Sequence, residues 1–293
     1  MCLKNQKLYY IGGAVRDEIL GIQSVDTDFC YEGNAIEFAE NNDLRILKKN
    51  TELCTVKVSL ESGQITDIAS TRTESYPQKG HLPKIEQTGC SLEMDVKRRD
   101  FTVNALAKRT TDNEFIDYFN GINDIQNKTL RVLHDNSFID DPSRIIRGLK
   151  FSVRFGFELD EKTRVLQNTY LNNINYDMSY HRIKKELKET FELNNPVAFD
   201  RFIEEDIYKL LGEKIAKPKI KGADIKNEIE KSGLTENIWF IYAAPFIDTE
   251  SANIPLTRAE KRILEWCKKL KTQEPTHNTP KESIILSRLI NND

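Results

Sequence analysis

Four apolar residues, Leu8-Tyr9-Tyr10-Ile11, run straight into Gly12-Gly13, and a helical pattern from Ala14 to Leu20 begins at once and stops at Gly21. A strand that becomes a helix through two glycines leaves backbone N–H groups and the positive helix end pointing outward, and glycine lets an anion come close to the backbone. The pattern predicts a phosphate cradle floored by Gly12 and Gly13, with Arg16, one helical turn on, adding a guanidinium to the same anion. Shortly afterwards Val25 to Cys30 reads as a strand that carries Asp26 and Asp28 at i and i+2, so both carboxylates project from one face. Two such carboxylates repel unless a cation lies between them, and all-oxygen ligation suits Mg²⁺. A metal beside a phosphate cradle points to two-metal phosphoryl chemistry. Either feature alone is usually structural; their close spacing carries the reading.

The first third of the chain goes on mixing strand and helix signals. Asn34 to Glu40 reads as a helix, and Thr55 to Leu60 alternates polar and apolar, the period of a half-buried strand. Ile65 to Ala69 is its predicted hairpin partner across Glu61-Ser62-Gly63. Thr71 to Gly89, with Pro77, Gly80, Pro83 and few apolar residues, reads as a long loop. The spacing over Asp100 to Lys108 is helical, and Phe115 to Tyr118 returns as a strand. Strand signals fade after Arg131. Asp141-Pro142 is expected to open a helix, Asp as cap and Pro at its first position, with Ile145, Ile146, Leu149 and Val153 as the buried stripe. Ser179 is the expected cap of another, on which Ile183, Leu187 and Phe191 recur four apart. Beyond Pro196 the chain reads as helical and lysine-rich, including Lys214, Lys217, Lys219 and Lys221. At 293 residues there is room for about two domains. The pattern is an N-terminal α/β domain followed by an all-helical remainder.

Composition excludes some classes. With 39% hydrophobic and 30% charged residues the chain is globular in type. No apolar run approaches the roughly 20 residues of a membrane span, and Met1 to Lys7 has no apolar signal segment. The five cysteines, Cys2, Cys30, Cys54, Cys90 and Cys267, are scattered and form no CxxC pair, which argues against a disulfide framework or zinc site and for a reducing, cytoplasmic setting. His134 and His181 have no carboxylate or cysteine at ligand spacing. A net charge of −3 rules out a general polycation, so any contact with nucleic acid must come from local clusters, among which the lysines after Leu211 are candidates.

Four stretches, in order, resemble one family. Gly12-Gly13-Ala14-Val15-Arg16-Asp17, then Gly21 and Asp26-Thr27-Asp28, is similar to the opening motif of the class II tRNA nucleotidyltransferases (the CCA-adding enzymes) and the bacterial poly(A) polymerases. Arg98-Arg99-Asp100-Phe101-Thr102-Val103-Asn104-Ala105 resembles their RRDFTxNA motif. Asp117 to Ile125 resembles the DxxxGxxDL segment, and Asp140-Asp141-Pro142-Ser143-Arg144-Ile145-Ile146-Arg147 the EDPxRxxR motif. The resemblance runs over roughly residues 8–211.

It implies an α+β fold: a polymerase-β-like nucleotidyltransferase head with a mixed sheet over 1–130, an all-helical neck that selects the base over 131–195, and a helical body that binds tRNA over 196–293. It implies Mg²⁺-dependent, template-independent addition of C and/or A from CTP and ATP to the 3′ end of tRNA, releasing pyrophosphate. The metals would sit on Asp26 and Asp28; Gly12, Gly13, Arg16 and Arg99 would contact the triphosphate, and Asp100, with Asn104 near it, the ribose 2′-hydroxyl. Asp141 and Arg144, with Arg147 nearby, would pair with the Watson–Crick edge of the base. An Asp acceptor beside an Arg donor matches cytosine or adenine, whereas uracil and guanine present a carbonyl where the Asp needs a donor. Asp67 stands where the wider superfamily often has a third carboxylate, and Arg72 to Pro83 resembles the flexible loop of the C-to-A switch, with Arg72 and Glu74 as its lever. Two positions depart from the pattern: Asp140 replaces a glutamate, and Lys150 stands where an arginine is common. A CC-adding enzyme, an A-adding enzyme and a poly(A) polymerase share all four motifs, and a catalytically silent RNA-binding relative is the reading from another class.

Overall fold

A computed structural model describes residues 3–24, 27–247 and 253–291. The chain forms two compact units: Met1–Gln78 with Leu82–Ser137 and Glu158–Thr163, and Lys79–His81 with Phe138–Phe157 and Arg164–Asp293. No described helix is long and apolar enough to cross a membrane.

In the first unit the strands are β1 (Leu8–Ile11), β2 (Asp28–Tyr31), β3 (Arg45–Asn50), β4 (Thr55–Ser59), β5 (Ile65–Ser70), β6 (Arg72–Ser75), β7 (Lys84–Thr88), β8 (Leu106–Arg109) and β9 (Phe115–Asp117). The helices are α1 (Gly13–Ile19), α2 (Ala35–Asn41), α3 (Leu92–Lys97) and α4 (Gly121–Gln126). Seven strands make one sheet in the order β3-β4-β5-β2-β1-β8-β9, and β6 with β7 make a separate hairpin. Only the β2–β5 pairing of that sheet is parallel, so the sheet is mixed, as expected.

Strand alternation divides the apolar side chains between two layers. Leu8 and Phe29 join Val56, Val58 and Ile68 beneath Ala35, Phe38 and Ala39 of α2. On the opposite face Tyr9, Ile11 and Cys30 join Leu92 and Val96 of α3 and Ala105 and Ala107. Each large side chain fully buried this way contributes about 1.5–3 kcal/mol. That second face matters for function, because Asp28 lies two residues before Cys30 and shares its side of the sheet.

After the short parallel pair β10 (Thr129–Leu130) and β11 (Glu158–Leu159) the rest is helical: α5 (Ser137–Asp140), α6 (Ser143–Phe155), α7 (Glu161–Leu171), α8 (Tyr180–Phe191), α9 (Pro196–Glu204), α10 (Gly222–Ser232), α11 (Ile238–Ala243), α12 (Arg258–Lys269) and α13 (Lys281–Asn291). Its core is aromatic, with Phe191, Phe199, Phe202, Tyr242 and Phe246 in mutual ring contact at 5.2–6.4 Å. A Cβ on Gly222 would lie 2.2 Å from the Pro196 carbonyl oxygen, so glycine there lets α10 start hard against α9.

Several local expectations are corrected. Residues Asp100 to Lys108 are not a helix: Thr102–Asn104 is a single 3₁₀ turn and Leu106–Arg109 is strand β8. Pairing of β8 with β1, Tyr9 opposite Arg109 and Ile11 opposite Ala107, overrides the local helical period. Thr71 to Gly89 is not a loop throughout, since Arg72–Ser75 and Lys84–Thr88 pair antiparallel and only the connection between them is irregular. Helix α6 starts one residue later than expected, with Pro142 as its N-cap, while the Asp141 carboxylate accepts from the Ser143 N–H at 3.2 Å. Ser179 caps α8 without a side-chain bond. The lysines Lys214, Lys217, Lys219 and Lys221 lie in an irregular connection, not on a helix. Strand β2 begins at Asp28; Asp26 lies outside the described residues.

Candidate active site

Asp28 stands at the exposed start of β2. The Thr66 hydroxyl of β5 donates to the Thr27 carbonyl and so ties the entry of β2 to its neighbour. The parallel register then sets Asp28 directly beside Asp67. Asp67 forms an ion pair with Lys57 at 3.2 Å, and its side chain is half exposed. No group of three metal-ligating side chains occurs among the described residues. Asp28 and Asp67 nonetheless offer only oxygen donors, as cross-strand neighbours on an accessible face, which is the donor chemistry of Mg²⁺.

The glycine turn lies at the end of the adjacent strand. Gly12 has φ 66° and ψ −123°, and its N–H donates to the Leu106 carbonyl at 3.0 Å. A Cβ there would sit 3.0 Å from Nη1 of Arg99, so the missing side chain is what lets that guanidinium lie over the turn. Arg99 is anchored from behind: its Nη2 donates to Oδ2 of Asp95 at 3.1 Å. The other Asp95 oxygen accepts from Arg98 Nη2 at 2.8 Å and from the Arg72 N–H at 3.0 Å. Burial would push the 1%-exposed Asp95 carboxyl up, but Arg99, Arg98 and the Arg72 N–H outweigh it and hold it below its ordinary value. Cys30, on the same face, has its thiol pushed up by burial foremost and then by Asp95, with Arg99 opposing. Arg99 Nε is buried without a hydrogen-bond partner among the described residues.

A second buried chain of contacts runs alongside. Arg16 is 5% exposed; its Nε and Nη2 donate to Asp17 at 2.9 and 2.6 Å, and its Nη1 to the Asn104 side-chain oxygen at 2.5 Å. Asn104 Nδ2 donates to Asp100 Oδ1 at 3.0 Å, and that oxygen also accepts from the Phe101 N–H at 2.8 Å. The structure thus brings Gly12, Gly13, Arg16, Arg99, Asp100 and Asn104 together in one unit with Asp28 and Asp67. The Asp100–Asn104 contact expected of a helix face is delivered instead by the 3₁₀ turn.

Asp141, Arg144 and Arg147 belong to the second unit. Asp141 and Arg144 are each 4% exposed, with Arg144 Nε 3.7 Å from an Asp141 oxygen. Asp141 also accepts from the Ser143 hydroxyl at 2.5 Å and pairs with Arg182, which donates its other guanidinium nitrogen to the His81 carbonyl at 3.2 Å. Arg147 points to Glu186 at 3.1 Å. Lys150 is held by Glu186 at 2.7 Å and Glu189 at 2.6 Å. Lys79 pairs with Asp140 at 2.6 Å.

Sequence reading passed over Asp95, Arg98 in its pairing with Glu74, Arg182 and Glu186. Asp95 had a legible signal, since it stands three and four residues before Arg98 and Arg99 at helical spacing. The Glu74–Arg98 pair, at 3.0 Å across 24 residues, had none.

A mixed sheet carrying a glycine turn, an arginine over it and adjacent exposed aspartates on one face defines a nucleotidyltransferase head. Residues 8–131 match the poly A polymerase head domain. It is 41% identical over 165 residues to an A-adding tRNA nucleotidyltransferase of Geobacter sulfurreducens, covering 54% of this chain and 18% of that one. A solved CCA-adding enzyme in an apo form superposes with TM-score 0.80 at 27% identity, over 97% of this chain and 76% of that one. The Thermotoga maritima CCA-adding enzyme complexed with tRNA gives TM-score 0.73 at 26% identity, over 96% and 73%. The chain spans less than half the length of the curated relatives it matches.

Proposed function

We propose that the protein adds nucleotides from CTP and ATP to the 3′ end of tRNA without a template, releasing pyrophosphate. One observation carries the reading: Arg99, braced by Asp95, lies over the Gly12 turn on the sheet face that presents Asp28 and Asp67. Gly12, Gly13 and Arg99 bind the triphosphate; Arg16 acts with them by fixing Asn104. Asp100 accepts from the ribose 2′-hydroxyl, a contact that a deoxy sugar cannot make. Asp26 and Asp28, with Asp67 beside Asp28, would hold Mg²⁺. When bound, it neutralises the triphosphate and acidifies the attacking 3′-hydroxyl. Neither the described site nor the chemistry needs a histidine base; alignment and charge neutralisation are the protein's contribution. Asp141 and Arg144 read the base edge, with Arg147 as support, and the helices from residue 196 onward contact tRNA. The scattered cysteines, read together with a tRNA substrate, support a cytoplasmic setting.

A second reading, addition of the terminal A alone, is favoured by the name of the 41%-identical relative. Purified protein is incubated with tRNA lacking CCA, and separately with tRNA ending in CC, with single labelled nucleotides and Mg²⁺. C incorporation on the first substrate and A on the second is the expected result; A on the second alone selects the A-adding reading. No incorporation on either overturns both.

A further inference from the structure

The metal-site face of the sheet continues past the carboxylates. Val56 and Val58 of β4 face the core under α2, so Thr55, Lys57 and Ser59 look the other way, toward the Asp28 side. The register sets Lys57 beside Asp67, Lys48 of edge strand β3 beside Lys57, and Arg45 beside Ser59. The result is a row across four strands, Lys48, Lys57, Asp67, Asp28, two cations leading into two carboxylates. At a strand spacing of about 4.8 Å, Lys57 stands ~10 Å and Lys48 ~14 Å from Asp28 along the row. Arg45, Lys48 and Lys57 are all exposed in the whole chain, so this part of the face is open to solvent. Strands β3 and β4 contain four basic residues and no acidic one.

We infer that this open, cationic face is a docking surface for the 3′-terminal strand of the RNA substrate, with Arg45, Lys48 and Lys57 holding backbone phosphates beside the reacting end. Charge complementarity and continuity with the carboxylates argue for a polyanion that must end at the metal site. A strand approaching paired aspartates is otherwise repelled, and cations next to them offset that repulsion. The inference rests on the nucleotidyltransferase reading given above.

The test uses the full chain with Arg45→Ala and Lys48→Ala combined, since both side chains are exposed and Lys57, paired with Asp67, is left intact. Binding of fluorescent tRNA lacking CCA is measured over a salt series. Each lost single-strand phosphate contact lowers the slope of log K against log salt by ~0.7, so the double variant is expected to lose ~1.4 and to bind about tenfold more weakly at low salt. KM for CTP stays within about twofold, and the Arg45→Lys, Lys48→Arg pair keeps wild-type binding. Unchanged affinity and slope in a variant with the wild-type melting midpoint overturn the inference, as does a loss confined to the CTP KM. Failure of wild-type protein to incorporate any nucleotide sinks the functional reading instead, and is seen in a different assay.

Discussion

Asp95 gathers three arginines of the first unit around one buried carboxylate. It is 1% exposed and receives guanidinium or backbone donors from Arg72, Arg98 and Arg99. Removing one partner from such a cluster leaves uncompensated buried charge, at a cost of about 3–5 kcal/mol. Asp95→Asn is therefore expected to lower the head's melting midpoint and raise KM for nucleotide more than it lowers kcat, because Arg99 loses its brace. A wild-type KM in a folded variant would refute that role. The acid dependence has a definite sign. The folded carboxyl lies below its ordinary value, so the stability it supplies is complete above about pH 4 and is lost as pH falls through the lower folded value. Melting curves over pH 2–5 should show a shallower acid limb in Asp95→Asn. Gly12 is the second critical position. An alanine there takes on a left-handed φ of 66°, costing about 1–2 kcal/mol, and sets its Cβ 3.0 Å from Arg99 Nη1. Gly12→Ala should thus lose nucleotide affinity as well as stability, and titration with CTP would separate the two.

Hairpin β6–β7 shows at the level of an element why part of this site was legible and part was not. The strand–glycine–glycine–helix unit could be read because everything that makes it is local: four apolar residues, a turn and α1, within residues 8–19. The hairpin could not be read from alternation, because charge rather than apolar periodicity fixes its first strand. Glu74, with a side chain only 3% exposed, pairs with Arg72 at 2.8 Å and Arg98 at 3.0 Å. Strand β8 was hidden for a related reason: its partner β1 lies about a hundred residues earlier, and that pairing decides its conformation. Asp67 was visible as a carboxylate on a predicted strand, but its place beside Asp28 depends on a parallel pairing that no local pattern encodes. If the ion network is what holds the hairpin, Glu74→Gln should lower amide-exchange protection over residues 72–75 and 84–88 while β4 and β5 keep theirs. Equal protection in the variant and the wild type would show that backbone pairing suffices.

Across the whole molecule, the residues assigned to metal and triphosphate lie in one compact unit, and those assigned to the base lie in the other. Each unit has its own core, Phe29, Val56, Val58 and Ile68 beneath α2 in the first, and the ring cluster around Phe199 and Tyr242 in the second. Under the proposed function such a division would let one unit vary its base contacts while the other keeps its phosphate chemistry, provided the two fold as separate cooperative blocks. The chain carries its own reporter for this. Both tryptophans, Trp239 and Trp266, belong to the second unit, so their fluorescence follows its unfolding and not that of the sheet. Ile68 is fully buried in the sheet's core, and Ile68→Ala should cost about 2–5 kcal/mol there. In urea the loss of amide-exchange protection over β1, β2, β4 and β5 should then move to lower denaturant, while the tryptophan transition stays where it is in the wild type. A shift of both transitions together would mean that the units unfold as one block, and the separation of phosphate chemistry from base choice would then have to be sought in individual side chains.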